Sequence, residues 1–122
     1  MPYSDAFNDH LINPRNAGEI LNADAVAEEV NPVCGDRLRL SLSVKDARIV
    51  GVRFLAYGCA PTLACGSALT VLLFGQELAS ATDLSRADIL REVGGLPHSK
   101  LHAAALAVET LHAALSRLKQ GE

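Results

Sequence analysis

The stretch from Arg37 to Lys45 constrains the fold of this chain more than any other feature. Every second residue in it is leucine or valine, and the residues between them are charged or carry a hydroxyl group. Because successive side chains of a strand point to opposite faces of a sheet, this alternation predicts a strand with one buried and one solvated face. The residues expected on the buried face are Leu38, Leu40, Leu42 and Val44.

A second strand is predicted from Ile49 to Tyr57, after a turn over residues 45–48. The two strands follow each other so closely that we expect them to pair as an antiparallel hairpin. A third, shorter strand is expected near residues 25–30. The residues assigned to the buried face of the second strand are Val50, Val52, Phe54 and Ala56.

Helices are predicted before and after this hairpin in the chain. The first covers residues 4–12 with Ser4 as its N-cap, and a helix that is apolar nearly all round follows Pro61 over residues 62–74. Two shorter helices and a long C-terminal helix are expected over residues 76–80, 86–92 and 99–119. The prediction is therefore an α+β fold, with a small three-stranded antiparallel sheet, helices packed on one face and a long C-terminal helix.

Length, charge and cysteine content exclude several classes of protein. A chain of 122 residues is expected to form one domain over residues 1–122. Its net charge of −3 and its scattered lysines and arginines argue against a nucleic-acid partner. The longest apolar run, residues 68–74, is too short to cross a membrane, and the first residues do not resemble a signal peptide. We therefore expect a cytoplasmic location. Three cysteines cannot pair completely, and in a reducing compartment we expect them to be ligands, nucleophiles or small core residues rather than disulfides.

Four residues that carry metal-binding groups lie at the ends of the predicted elements. Cys34 and Asp36 precede the first strand of the hairpin, and Cys59 follows the second. The hairpin brings these positions to one end of the sheet, and His102, in the first turn of the last helix, could meet them there. Thiolates suit zinc and iron–sulfur centres, and imidazole suits zinc and iron. A helix N-terminus next to Cys59 would also stabilise its thiolate.

Spacing alone leaves two interpretations of these residues open, because no two of them form a short pair such as Cys-x-x-Cys. In the first interpretation they hold a metal. In the second, Cys34 and Cys59 are small buried apolar residues. Asp36 would then form a turn and His102 would lie on the surface. A hydrolytic dyad of Cys59 and His102 would need an oxyanion hole and a third orienting group, which the sequence does not identify.

Four segments along the chain resemble the motifs of a known protein family. They are Tyr3-Ser4 with Asp9-His10 and Asn13-Pro14-Arg15-Asn16-Ala17-Gly18, then Cys34-Gly35-Asp36, then Tyr57-Gly58-Cys59, and last Leu96-Pro97-His98-Ser99-Lys100-Leu101-His102. In this order and without an evident insertion, they resemble the characteristic segments of the IscU/NifU family of iron–sulfur cluster assembly scaffolds.

This resemblance implies a non-enzymatic scaffold on which a transient [2Fe–2S] cluster is assembled and then passed to acceptor apoproteins. A cysteine desulfurase would supply the sulfur. Cys34, Cys59 and His102 would bind the cluster, or zinc or iron at the same site. Asp36 would be the labile carboxylate that keeps the cluster transferable. The alternatives are a zinc-dependent sulfurtransferase that accepts persulfide sulfur, and a degenerate family member that binds a metal structurally or docks to partners.

The chain departs from the family pattern directly after His102. The family has a cysteine at that position, and this chain has Ala103. Cys65 is the spare thiol, but it lies six residues after Cys59 in a helix and therefore points in a different direction. We expect Cys65 to be a core residue rather than a ligand or sulfur relay. The oligomeric state stays open, because a second subunit or an external thiol could bind the cluster in place of the missing cysteine.

The other three histidines are not among the predicted ligands. His98 replaces the second proline of the family's Leu-Pro-Pro-x-Lys motif, so recognition by an Hsp70-type chaperone stays open. His98 and His102 are four residues apart and could form a zinc-binding pair within one helix, but we expect His98 to precede that helix. His10 and His112 are predicted to lie on the surface.

Overall fold

Three strands and five α-helices make up residues 3–120, the part of the chain that the computed structural model describes. In chain order they are α1 (Asp5–Ile12), β1 (Ala25–Val30), β2 (Arg37–Lys45), β3 (Arg48–Tyr57), α2 (Ala60–Leu73), α3 (Leu78–Thr82), α4 (Arg86–Glu92), a 3-10 turn (His98–Lys100) and α5 (His102–Gln120).

The sheet is antiparallel, with β2 in the centre between β1 and β3. Leu40 of β2 lies opposite Ala27 of β1 and Phe54 of β3, and all three side chains are buried. The predicted alternation along β2 is confirmed for Leu38 and Leu42, which are buried as well, whereas Val44 is half-buried. On the opposite face Ser41 is 2% exposed, so the prediction that this face is solvated is wrong at Ser41. Helices cover the face that carries the leucines, and the α+β fold with a three-stranded sheet and a long C-terminal helix is confirmed.

A β-bulge shifts the pairing of β2 with β3 near the hairpin turn. Ser43 lies opposite Gly51 and Val44 lies opposite Ile49, so that Val50 is an extra residue. Ile49 is fully buried while Val50 is 48% exposed. The prediction that Val50 belongs to the buried face is therefore wrong, because the extra residue changes which side chains point inward on either side of it.

Two helices form the layer over the sheet. α2 packs on β3, α5 packs on β1 and β2, and α1 and α4 pack against α2. α2 begins after Cys59 and is buried on nearly all sides, as its apolar sequence predicts. α3 begins two residues later than predicted, because the backbone of Gly75 and Gln76 pairs with Ile49 at the edge of the sheet. In the described residues, no helix has the length and apolar character that crossing a membrane requires.

His10 is buried between three helices, so the prediction that it lies on the surface is wrong. Its Nδ1 lies 2.7 Å from Ser67 Oγ, and its Nε2 lies 2.9 Å from Glu92 Oε2. Ser67 Oγ accepts the Arg15 N–H, so its own hydrogen can donate to His10. Because Ser67 is fully buried, this serine–histidine–glutamate arrangement joins α1, α2 and α4 and is closed to a substrate. His112 is exposed, as predicted.

Candidate metal centre

The hairpin of β2 and β3 brings the two cysteine segments to one end of the sheet. Arg37 and Tyr57 are paired, so that Asp36 and Gly58 lie side by side just beyond the paired residues. Asp36 precedes β2, and its carbonyl accepts the Asn31 N–H at 2.7 Å. Cys34 therefore sits in a tight loop between β1 and β2, and Cys59 is the N-cap of α2.

His102 reaches the same end of the sheet as the first residue of α5. The ligand atoms of Cys34, Asp36 and His102 all lie within 4.8 Å of one another. Cys59 lies outside this tight group of three but contacts it, because its Sγ is 2.8 Å from Asp36 Oδ2. The structure thus brings together all four residues that the sequence singled out, and it joins Cys59 to the others through Asp36.

The burial of these groups is uneven. Cys34 is exposed, Cys59 is half-buried and Asp36 is only 6% exposed. The Nε2 atom of His102 is buried without a hydrogen-bond partner, one of two such side-chain atoms in the described part of the chain. A buried polar atom without a partner is costly, and a neutral imidazole nitrogen is a good metal ligand. The unpaired nitrogen, two thiols and a carboxylate therefore fit zinc or an iron-containing centre.

Asp36 is held by several donors at one of its oxygens. Its Oδ2 accepts the Thr62 hydroxyl at 2.8 Å, the Cys59 thiol at 2.8 Å and the Cys59 N–H at 3.4 Å. Burial by itself raises the pKa of the Asp36 carboxyl group, but the hydrogen bonds from Thr62 and the neighbouring thiols outweigh it and lower that pKa. Asp36 is therefore an anionic group at neutral pH, as a metal ligand needs to be.

Gly58 leaves the space that the Asp36 carboxylate occupies. Its φ of +141° lies in a region that other residues rarely adopt, and a Cβ atom at this position would overlap the carboxylate. The strand-to-helix corner before Cys59 therefore requires glycine for its backbone conformation and for the close approach of Asp36.

Cys65 and Ala103 both belong to the hydrophobic core. Burial raises the pKa of the Cys65 thiol to about 12, with a smaller contribution from Cys59, so the thiol stays protonated at neutral pH. This agrees with the prediction that Cys65 is a core residue. Ala103, the residue after His102, is buried. His98 lies exposed in the 3-10 turn and precedes α5, as predicted.

Thr62 is a site residue that the sequence motifs do not identify. It is fully buried and hydrogen-bonded to Asp36. A signal was present, because a hydroxyl residue lies three positions after Cys59 in an otherwise apolar stretch. The N-cap and the third residue of a helix are one turn apart, so both side chains are found at the same helix end.

Comparison with known proteins decides the family. Residues 2–122 match the family described as the NifU-like N terminal domain. The chain belongs to the IscU/NifU family. A relative in this family, the iron–sulfur cluster assembly scaffold protein IscU 1 of Archaeoglobus fulgidus, is 40% identical over 113 residues, which are 93% of this chain and 74% of that protein.

Other members of the IscU/NifU family differ in length. The bifunctional protein NifU/MnmA of Rubrobacter xylanophilus is 46% identical over 114 residues, which are 92% of this chain but 23% of that protein. This chain thus spans about a quarter of that longer relative.

A solved structure supports the fold. The crystal structure of a protein of Fervidobacterium islandicum AW-1, described as a candidate iron–sulfur cluster assembly scaffold for the SUF system, superposes with a TM-score of 0.77. The match covers 94% of this chain and 97% of that one at 23% identity.

Proposed function

We propose that this chain is an iron–sulfur cluster assembly scaffold, which holds a transient [2Fe–2S] cluster and passes it to acceptor apoproteins. Its relatives in Archaeoglobus fulgidus and Escherichia coli carry the name of such a scaffold. The observation that carries the proposal is the convergence of Cys34, Asp36 and His102 within 4.8 Å, beside the thiol of Cys59. The chain would act as one scaffold domain and not as an enzyme.

The proposed ligand set suits a cargo that must leave again. Most stable protein-bound clusters are held by four thiolates, whereas this site offers two thiolates, one carboxylate and one imidazole. A carboxylate is a hard oxygen ligand and binds iron in a sulfide-rich centre less strongly than a thiolate does. Asp36 would therefore be the ligand that exchanges most readily. The absence of a thiol at Ala103 leaves Cys34 and Cys59 as the thiolate ligands from this chain.

Anaerobic reconstitution with ferrous iron and sulfide tests this function. We expect the absorbance and circular dichroism of a protein-bound [2Fe–2S] cluster. Cys34→Ala and Cys59→Ala should abolish these signals, because each removes one of the two thiolates. Cys65→Ala is the matched control, since it removes a thiol from the core and should leave the signals unchanged.

Two results would contradict the scaffold. Full spectra in both Cys34→Ala and Cys59→Ala would show that the ligands are elsewhere. Protein isolated without oxygen that contains neither iron nor zinc, and that takes up neither, would favour a degenerate member that docks to partners without a metal.

A second function, a zinc-dependent sulfurtransferase, is favoured by the exposure of Cys34. A partner can reach this thiol while the other candidate ligands lie deeper. In the proposed step the Cys34 thiolate attacks the terminal sulfur of the persulfide on a cysteine desulfurase. A new sulfur–sulfur bond forms on Cys34, the persulfide bond of the desulfurase breaks, and the desulfurase leaves as a thiolate.

Mass spectrometry separates this second function from the first. After incubation of the zinc-loaded protein with a cysteine desulfurase and cysteine, a sulfurtransferase should gain about 32 mass units, the mass of one sulfur atom, on the Cys34 peptide. Cys65→Ala should gain the same mass. A protein that builds a [2Fe–2S] cluster but never carries this persulfide is a scaffold alone. The desulfurase, the acceptors, an Hsp70-type chaperone and the cytoplasmic location stay predictions.

A further inference from the structure

We propose that Thr62 is a positioning residue for the metal centre, which fixes the orientation of Asp36 and thereby strengthens metal binding. The inference rests on the proposed function, since it assumes that Asp36 is a ligand. Thr62 is buried in the first turn of α2, and its hydroxyl donates to Asp36 Oδ2 at 2.8 Å.

The hydrogen bonding of Thr62 differs from that of the other threonines. The chain contains four threonines, all of them in helices. Three donate to a carbonyl of their own helix: Thr70 to Ser67, Thr82 to Leu78 and Thr110 to Leu106. Thr70 also lies 3.1 Å from the Arg15 carbonyl, a longer contact than its 2.7 Å bond to Ser67. Thr62 instead donates to a carboxylate that lies outside its helix. A threonine within a helix ordinarily donates to a carbonyl of the preceding turn. The different direction of the Thr62 hydroxyl is therefore due to Asp36.

Thr62 matters most when Cys59 is a metal ligand. In the metal-free protein, Asp36 Oδ2 accepts from both the Cys59 thiol and the Thr62 hydroxyl at 2.8 Å. A cysteine binds metals as a thiolate, so the thiol hydrogen is lost from this arrangement. The remaining donors to Oδ2 are the Thr62 hydroxyl and the more distant Cys59 N–H at 3.4 Å. Thr62 therefore becomes the short hydrogen bond that keeps the carboxylate in place.

Thr62 also lies beside both Asp36 and Cys59. Its Oγ1 is 3.5 Å from Cys59 Sγ as well as 2.8 Å from Asp36 Oδ2. A hydroxyl hydrogen next to this pair would partly offset the repulsion between the carboxylate and a Cys59 thiolate. Valine has nearly the shape of threonine, with a methyl group in place of the hydroxyl. Thr62→Val therefore tests the contribution of the hydroxyl with little change in packing.

The affinity of the metal-free protein for Co²⁺ and Zn²⁺, measured by competition with a chromophoric chelator, tests the proposal. Removal of a partner that orients a ligand commonly weakens metal binding about 10- to 100-fold, and we expect Thr62→Val to fall in this range. Thr62→Ser keeps the hydroxyl and should restore an affinity close to that of the wild type. Thermal unfolding of the metal-free variants shows whether each one folds.

A double-mutant cycle separates positioning from a general effect on structure. If Thr62 acts through Asp36, Thr62→Val should cause no further loss in a protein that already carries Asp36→Ala. Equal losses in both backgrounds, or an unchanged or tighter constant for Thr62→Val alone, would overturn the role of Thr62 and leave the proposed function intact. A wild-type protein that binds neither Co²⁺ nor Zn²⁺ would overturn the metal centre itself, and this inference with it.

Discussion

At the scale of single residues, the candidate metal centre needs space for a side chain as well as ligands. Gly58 adopts a φ of +141° and leaves room for the Asp36 carboxylate, which in turn contacts the Cys59 thiol. A side chain at position 58 would push Asp36 away from both Cys59 and Thr62. The glycine would therefore contribute to the proposed metal binding without supplying a ligand.

Gly58→Ala should weaken Zn²⁺ binding, by about 10-fold or more, because it displaces a carboxylate ligand and its hydrogen bonds. The backbone strain should also lower the free energy of unfolding, by about 1–3 kcal/mol. Gly75→Ala is the matched control, since Gly75 has a φ of +83° with open space around it. Chelator competition and thermal unfolding measure both effects. Equal zinc affinities for the two variants would show that Gly58 is needed only for its backbone conformation.

Cys34 and Cys65 should differ sharply in reactivity. Cys34 is exposed, whereas burial raises the pKa of the Cys65 thiol to about 12. At pH 8 only about one Cys65 side chain in 10,000 would be a thiolate, which is the reactive form. Iodoacetamide should therefore modify Cys34 and spare Cys65 in the native metal-free protein. Peptide mapping should find both modified after unfolding in guanidinium chloride, and rapid native labelling of Cys65 would contradict its burial.

The sequence was informative about some site residues and not about others. In an antiparallel hairpin, the start of the first strand lies beside the end of the second. The approach of Asp36 to Cys59 could therefore be predicted from the alternation of both strands and the short turn between them. The hydrogen bond from Thr62 depends on how far α2 is turned about its axis, which no local pattern reports. His10 was misjudged for a similar reason, because its partners Ser67 and Glu92 are brought by distant helices.

At the scale of secondary structure, α2 packs closely enough on β3 to require a small residue. Gly66 lies in the middle of α2, and a Cβ atom there would come within 2.5 Å of Phe54 Cδ2 and 3.1 Å of Leu38 Cδ1. Both neighbouring side chains are buried in the core. The helix and the sheet therefore approach each other where α2 has no side chain.

Gly66→Ala should destabilise the protein, although alanine is ordinarily the better helix residue by about 1 kcal/mol. Overpacking against the enclosed Phe54 ring typically costs about 1–3 kcal/mol, so we expect a net loss of about 1 kcal/mol. Urea unfolding measures the change. Gly66→Ala combined with Phe54→Leu should recover part of the loss, and a single variant more stable than the wild type would contradict this close packing.

The two strands of the hairpin show where prediction from periodicity ends. The alternation in β2 is unbroken, so its buried leucines were predicted correctly. β3 contains the same kind of alternation, but one extra residue at Val50 changes which side chains point inward. A bulge satisfies the partner strand and the turn, and both are remote from the local pattern.

At the scale of the whole molecule, the candidate ligands connect parts of the chain that are otherwise held by hydrophobic packing. Cys34 and Asp36 come from the segment before β2, Cys59 from the start of α2 and His102 from the start of α5. A metal held by these groups would link both helices of the upper layer to the end of the sheet. Metal binding is therefore expected to stabilise the fold as a unit.

Zn²⁺ at about 100 times its dissociation constant should raise the free energy of unfolding by about 2.7 kcal/mol. For a domain of this size, that corresponds to an increase in Tm of roughly 10 °C. Differential scanning calorimetry should show the increase and its reversal by a chelator. His102→Ala should lose most of it, while His112→Ala, which changes an exposed histidine, should keep it. An equal increase in both variants would exclude His102 as a ligand.

The order of the ligands along the chain has a consequence for protein synthesis. Cys34, Asp36 and Cys59 leave the ribosome before His102, because α5 is the last element of the described chain. A nascent chain at that stage presents thiols and a carboxylate without the imidazole that completes the group. If the proposed centre needs His102, we expect its loading only after α5 has packed on the sheet, which would separate metal or cluster delivery in time from translation.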